Sequence, residues 1–153
     1  MRPRPSVFLV SGNRLLRETL TRMLWKRNDI LIAEATAYSP QALQQIAESG
    51  SEILLLDPPA RSNLQFVREV IRSLPTIRVV LLGMKEDGAT FLRAVQAGVT
   101  GYVLKDASAM DVVAAVRAVV QDEAVCPPRL CLRTPWRLPK KASSALSGAR
   151  LRW

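Results

Sequence analysis

Five short apolar runs recur along the chain, separated by stretches in which apolar residues return every three or four positions. Val7–Val10 (VFLV), Ile53–Leu56 (ILLL) and Val79–Leu82 (VVLL) are continuous rather than alternating. Such runs predict strands buried on both faces. Ile30–Ala35 and Gly101–Leu104 predict two more. Arg14–Arg27 sets Leu16, Leu20, Met23 and Leu24 on one helical face. Ser39 as N-cap and Pro40 as first helical residue predict a helix through Ser49. Asn63–Leu74 aligns Phe66, Val67, Val70, Ile71 and Leu74, and Asp87–Ala97 predicts a helix closed by Gly98. Ser108 caps a last helix with Val112, Val113, Val116, Val119 and Val120 facing inward.

Strands alternating with helices at short spacing predict an α/β fold, a doubly wound parallel sheet with right-handed crossovers and helices on both faces. We expect five strands in the order 2-1-3-4-5. A sheet of this kind binds ligands at the carboxyl ends of its strands. The residues to read for function are therefore Ser11–Gly12, Asp57–Pro58–Pro59, Gly83 and Lys105.

After Ala124 the periodic pattern stops. Pro127, Pro128, Pro135 and Pro139 are expected to interrupt any helix, with Leu130–Leu132 and Trp136 as isolated apolar points that could dock on the domain. We divide the chain into a domain, 1–125, and a basic tail or linker, 126–153. Of the 22 basic residues seven fall in the tail, which has no acid, so the first 125 residues hold 15 bases against 13 acids. The domain is nearly neutral, and the tail carries most of the net +9.

Composition narrows the chemistry. At 48% apolar residues the chain can build a core without disulfides. No apolar run reaches the roughly 18–20 residues of a membrane span. The start, MRPRPSVFLV, reads as a first strand rather than a signal peptide. With no histidine, imidazole catalysis and histidine metal sites are excluded. Cys126 and Cys131 are the only cysteines. They suit a reducing cytoplasm, leave a disulfide between them open, and make only one incomplete pair of zinc ligands.

Asp57 ends a wholly apolar strand, where a carboxylate can act as nucleophile or metal ligand; an Asp before Pro also simply starts a turn. Lys105 ends the fifth strand. A doubly wound sheet can bring it to the same edge as Asp57, where an ammonium could neutralise a phosphoryl group; alone, it is an ordinary solvated strand-end lysine.

Three segments in this order carry a resemblance: SVFLVSGNRLLRETLTRML, EILLLD and VQAGVTGYVLKDASAMDVVAAVRAVVQ. They are similar to receiver domains of response regulators of the NarL/FixJ (LuxR-type) family, over roughly residues 6–125. The resemblance implies a CheY-like, flavodoxin-like fold. It sets Asp57 at the phosphoacceptor position, Lys105 as phosphoryl counter-charge, and Gly83 and Tyr102 at the two switch positions.

The departures from that family are as informative. Its acidic pair after the first strand, which holds Mg²⁺, is replaced here by Ser11 and Gly12. Mg²⁺ wants carboxylate oxygens, so Asp57 and the Pro59 carbonyl would make a weak or absent site. Gly83 stands where the family has a Ser or Thr hydroxyl, while Tyr102, its aromatic partner, is kept. The loop PPARSNL is shorter than usual. Phosphoryl transfer rests on positioning and charge neutralisation, and these replacements remove much of both.

The expectation is an atypical receiver in two-component signalling and transcription regulation. It would have impaired or absent Mg²⁺-dependent phosphorylation and work by dimerisation or partner docking. It would not be an enzyme beyond self-phosphorylation and dephosphorylation at Asp57. The cofactor expectation is none, or weak Mg²⁺. Expected partners are a sensor histidine kinase and a second copy of the chain in the cytoplasm, with no membrane. DNA would be reached only through a following helix-turn-helix output domain or the basic tail. Two alternatives stay open: a genuine but slow phosphoacceptor at Asp57, and nucleic-acid binding by the tail, whose bases and Trp136 and Trp153 suit phosphates and stacked bases.

Overall fold

The computed structural model describes residues 4–27, 29–59, 64–133 and 150–152. Five βα repeats open the chain: β1 (Ser6–Ser11), α1 (Arg14–Trp25), β2 (Leu31–Thr36), α2 (Ala42–Ser49), β3 (Ile53–Asp57), α3 (Gln65–Ser73), β4 (Arg78–Met84), α4 (Gly88–Ala97), β5 (Gly101–Leu104) and α5 (Ala109–Val120). Then come β6 (Glu123–Val125), α6 (Pro128–Arg133) and β7 (Arg150–Arg152). The order β2-β1-β3-β4-β5 is the expected one, and β6 and β7 extend the sheet past β5. Every pairing is parallel.

Strand alternation divides the core into two layers. Phe8, Val10, Leu54, Leu56, Val79 and Leu81 pack in one cluster with Ile46, Val67, Val70, Phe91 and Ala94, from α2, α3 and α4. Val7, Leu9, Ile53, Leu55, Val80 and Leu82 pack in the other with Leu20 and Leu24 from α1 and Val112 and Val116 from α5. Each of the Val, Leu, Ile and Phe side chains stabilises by about 1.5–3 kcal/mol on burial. This is why the three central strands read as unbroken apolar runs. β2, at the edge, has no fully buried residue.

The local differences have local causes. α1 stops at Trp25, where the backbone N–H of Lys26 bonds back to the Arg22 carbonyl. Ser39 does not cap α2. The Ala42 N–H bonds its carbonyl, so Ser39, Pro40 and Gln41 form a turn and the helix starts at Ala42. α3 begins at Gln65, behind a left-handed Leu64 (φ 62°); the expected start, Asn63, lies outside the described residues. Ser108 does cap α5, in a reciprocal capping box with Asp111.

The stretch expected to lack a helix carries α6. Pro128 stands at its first position, where a missing N–H is no loss. Leu130 joins the core cluster of Phe91 and Tyr102, together with Cys126 and Cys131, which are joined as a disulfide. Trp136 lies outside the described residues. Among the described residues no helix is long and apolar enough to cross a membrane.

Candidate functional site

β1 and β3 run side by side with Ser11 in register with Asp57, so the carboxyl end of the sheet presents these two residues together. Ser11 is fully buried. Its hydroxyl donates to Asp57 Oδ2 at 2.7 Å, and its oxygen accepts the Asn13 N–H at 3.0 Å. The hydroxyl hydrogen is thereby committed to the carboxylate. Asn13 also caps α1, its side chain accepting from Leu16 N–H at 3.1 Å. Arg17 Nη1 donates to the Ser11 carbonyl at 2.7 Å. Beneath Asp57, the Tyr38 hydroxyl donates to the Asp57 carbonyl oxygen at 3.1 Å, and the Tyr38 ring stands edge-on to Phe66. Burial, helped by the Asp57 charge, pushes the Tyr38 hydroxyl well above the usual tyrosine range.

Gly83 lies inside β4 rather than after it. Leu81 pairs with Tyr102 and Met84 with Leu104, so β4 spends one residue more than β5 over this interval, and the register shifts. Gly83 absorbs the bulge in the left-handed region, at φ 66°. A Cβ at this position would stand 3.1 Å from Asp57 Oδ1. The backbone therefore calls for glycine here, a requirement separate from the absence of the hydroxyl that the family resemblance implies.

Asp57, Pro59, Gly12, Gly83 and Lys105 line one open cleft of about 690 Å³ at this edge. Lys105 anchors through its backbone N–H to the Met84 carbonyl at 2.8 Å, and its side chain is exposed. Among the described residues no ion pair within 4.0 Å joins it to Asp57. Sequence reading missed Lys85 and Arg93, which line the same cleft. Lys85 directly follows β4, and Arg93 is the sixth of the ten residues of α4. The place of Lys85 is legible once the strand ends are taken as the site; that of Arg93 depends on how α4 packs.

Tyr102 lies outside this cleft. It is buried, 2% exposed, with its ring edge-on to Phe91 at 5.1 Å between centroids. Its hydroxyl donates to the Lys85 carbonyl at 2.7 Å. Burial first, and then the Asp87 charge, push its pKa up to about 12.

The donor set fits Mg²⁺ poorly. Among the described residues no three His, Cys, Asp or Glu are grouped to hold a metal. Asp57 supplies the one carboxylate of the cleft among the described residues, and one of its oxygens already accepts from Ser11. The remaining oxygens are neutral, and Lys85, Arg93 and Lys105 surround them with positive charge. A hard dication needs several anionic or well-placed neutral oxygens. What the arrangement offers is a carboxylate, hydrogen-bonded to Ser11, in a cleft lined by three cationic side chains.

The family model for the response regulator receiver domain matches residues 7–117. The transcriptional regulatory protein LnrK of Bacillus subtilis is 27% identical over 139 residues, 88% of this chain and 63% of that protein. The chain thus spans less than two thirds of this relative's length. Among solved structures, a LuxR-family two-component response regulator from Aurantimonas superposes with a TM-score of 0.75 at 21% identity, covering 85% of this chain and 94% of that one. A structure of two RcsB dimers bound to two parallel DNAs superposes at 0.76 and 13% identity, covering 85% and 66%. These structures share the fold, and a family match over most of βα repeats one to five says what that fold is: the chain belongs to the response regulator receiver domain family.

Proposed function

We propose that this receiver belongs to a LuxR-type regulator and signals with impaired or absent Mg²⁺-dependent phosphorylation, through dimerisation or partner docking. One observation carries the reading: the Ser11 hydroxyl bonds Asp57 Oδ2 at 2.7 Å, at the strand end where the family holds its metal-binding acids. A neutral donor there ties up the carboxylate and offers a cation nothing anionic. Gly12 adds no side chain, and Gly83 presents no hydroxyl. On this reading Asp57 is chiefly a structural acid that joins β1 to β3.

The partners follow from the family. A sensor histidine kinase is the expected upstream partner, in the cytoplasm, without a membrane contact by this domain. The RcsB structure contains dimers on DNA; for this chain a homodimer, and DNA reached through an output domain or the basic tail, are part of the proposal. No chemistry beyond self-phosphorylation and dephosphorylation is proposed.

A second reading is favoured by the cleft itself. Asp57 and Lys105 line it together, so nucleophile and counter-charge are both present, and a slow phosphoacceptor could operate there. The test is incubation with a small phosphodonor, with and without Mg²⁺, followed by peptide mass analysis, with Asp57→Asn as the blank. The main reading expects little labelling and no Mg²⁺ dependence. Mg²⁺-dependent labelling at Asp57, slow or efficient, would overturn it in favour of the second.

A further inference from the structure

The chain beyond α5 carries a second device that the cleft does not use. Cys126 directly follows β6, and Cys131 lies in α6. Their Cα atoms are 6.0 Å apart, the span a disulfide bridges without moving backbone. Both are buried, 5% and 2% exposed, in the cluster that holds Phe91, Tyr102 and Leu130. α6 is also tied by Arg129 to Glu86 at 3.8 Å. Glu86 follows Lys85, whose carbonyl accepts the Tyr102 hydroxyl. α6 therefore touches the Tyr102 pocket twice, once through the core and once through the loop that lines the cleft.

We infer that Cys126 and Cys131 are a dithiol–disulfide switch that sets whether α6 stays docked over Phe91 and Tyr102. The disulfide pins α6 to the end of β6. With the thiols free, the six-residue helix loses its covalent tie and keeps non-covalent contacts, among them the buried Leu130 and Cys131 and the exposed Arg129–Glu86 ion pair, and it opens more often. In the reducing cytoplasm proposed for a receiver, a disulfide is of the transient, redox-sensing kind rather than a permanent staple. The device does not depend on whether Asp57 is phosphorylated.

The oxidant is a small-molecule disulfide such as oxidised glutathione. One cysteine thiolate attacks it and expels one glutathione thiolate, leaving a mixed disulfide. The second cysteine thiolate attacks the protein sulfur of that bond and expels the other. Two electrons pass from the cysteine pair to the two released glutathione sulfurs, which take up the two protons that the cysteines lose. Local opening of α6, whose Pro128 and Arg129 are exposed, admits the reagent.

The test uses the 153-residue chain equilibrated with mixtures of reduced and oxidised glutathione, then alkylated and read by peptide mass, with amide hydrogen exchange on the same samples. One two-electron transition to an intramolecular Cys126–Cys131 link is expected. Reduction should speed exchange in α6 and around Glu86 and Phe91 by roughly tenfold or more, the scale on which a small-loop crosslink acts. The double variant Cys126→Ser, Cys131→Ser should exchange like the reduced chain at every glutathione ratio. If that variant does not fold, the oxidised and reduced native chains still decide the matter. Two free thiols in excess oxidised glutathione would overturn the inference. So would a link that forms without changing exchange in α6.

Discussion

Ser11 and Asp57 stand in register on adjacent parallel strands and share one short hydrogen bond, 2.7 Å from Oγ to Oδ2, at a position where Ser11 has no solvent exposure. Replacing Ser11 by Asp sets a second carboxylate against the first. Two like charges about 4 Å apart repel by roughly 4 kcal/mol at an effective dielectric of about 20. Ser11→Asp alone should therefore lower the melting temperature in metal-free buffer. Gly12 has nothing within 4 Å of an added Cβ, so Gly12→Asp adds its carboxylate without a clash. The double variant should recover stability on adding Mg²⁺, and bind it more tightly than either single variant. Calorimetric titration and melting curves with and without Mg²⁺ check this. A double variant indifferent to Mg²⁺ would show that the acids are not what the site lacks.

Gly83→Thr should not restore the switch hydroxyl cleanly. The residue has φ 66°, and its Cβ would meet Asp57 Oδ1 at 3.1 Å. A side chain in the left-handed region costs roughly 1–2 kcal/mol. Gly83→Ala should show a similar loss in urea denaturation, marking the backbone rather than the hydroxyl as the cause. A stable Gly83→Thr would mean that β4 can shed its bulge.

Asn13 has two jobs that substitution can separate. Its side chain caps α1, and its N–H bonds Ser11 Oγ. Asn13→Ala should cost about 1 kcal/mol by loss of the cap. Asn13→Asp keeps an N-cap acceptor and should hold stability close to that of the unchanged chain, with a carboxylate at the rim of the cleft. Chemical denaturation of both variants decides it; equal losses would mean that the cap is not the stabilising part.

Both tyrosines of the chain are raised, Tyr102 to about 12 and Tyr38 also well above its usual range. Tyrosine in the unfolded chain ionises near pH ~10. Because the folded pKa is the higher one, the folded state binds more protons once pH passes ~10, and stability falls as pH rises from there through about 12. Below ~10 the contribution is fully present. Tyrosinate absorbance should therefore be nearly absent in the native chain at pH ~10 and half developed in denaturant. Equal titration in both states would contradict the burial of the two hydroxyls.

Periodicity alone identified the five βα repeats, because continuous apolar runs and three-four spacing report which faces are buried. The strand ends then pointed to Asp57, Lys105, Ser11, Gly12, Pro59 and Gly83 as the residues of one edge, since all strands of a parallel sheet end on the same side. What sequence could not decide is set by pairing between distant segments. The bulge at Gly83 exists only because β4 and β5 differ in length over one interval. The Ser11–Asp57 bond needs β1 beside β3. Arg93 joins the cleft only through the packing of α4 against the edge. Pro127 and Pro128 read as helix breakers, yet Pro128 starts α6, because docking Leu130 and Cys131 against Phe91 and Tyr102 supplies burial that no local pattern announces. Local rules act over a few residues and reveal elements; register, bulges and docked helices are decided by contacts across tens of residues, which only the folded chain brings together.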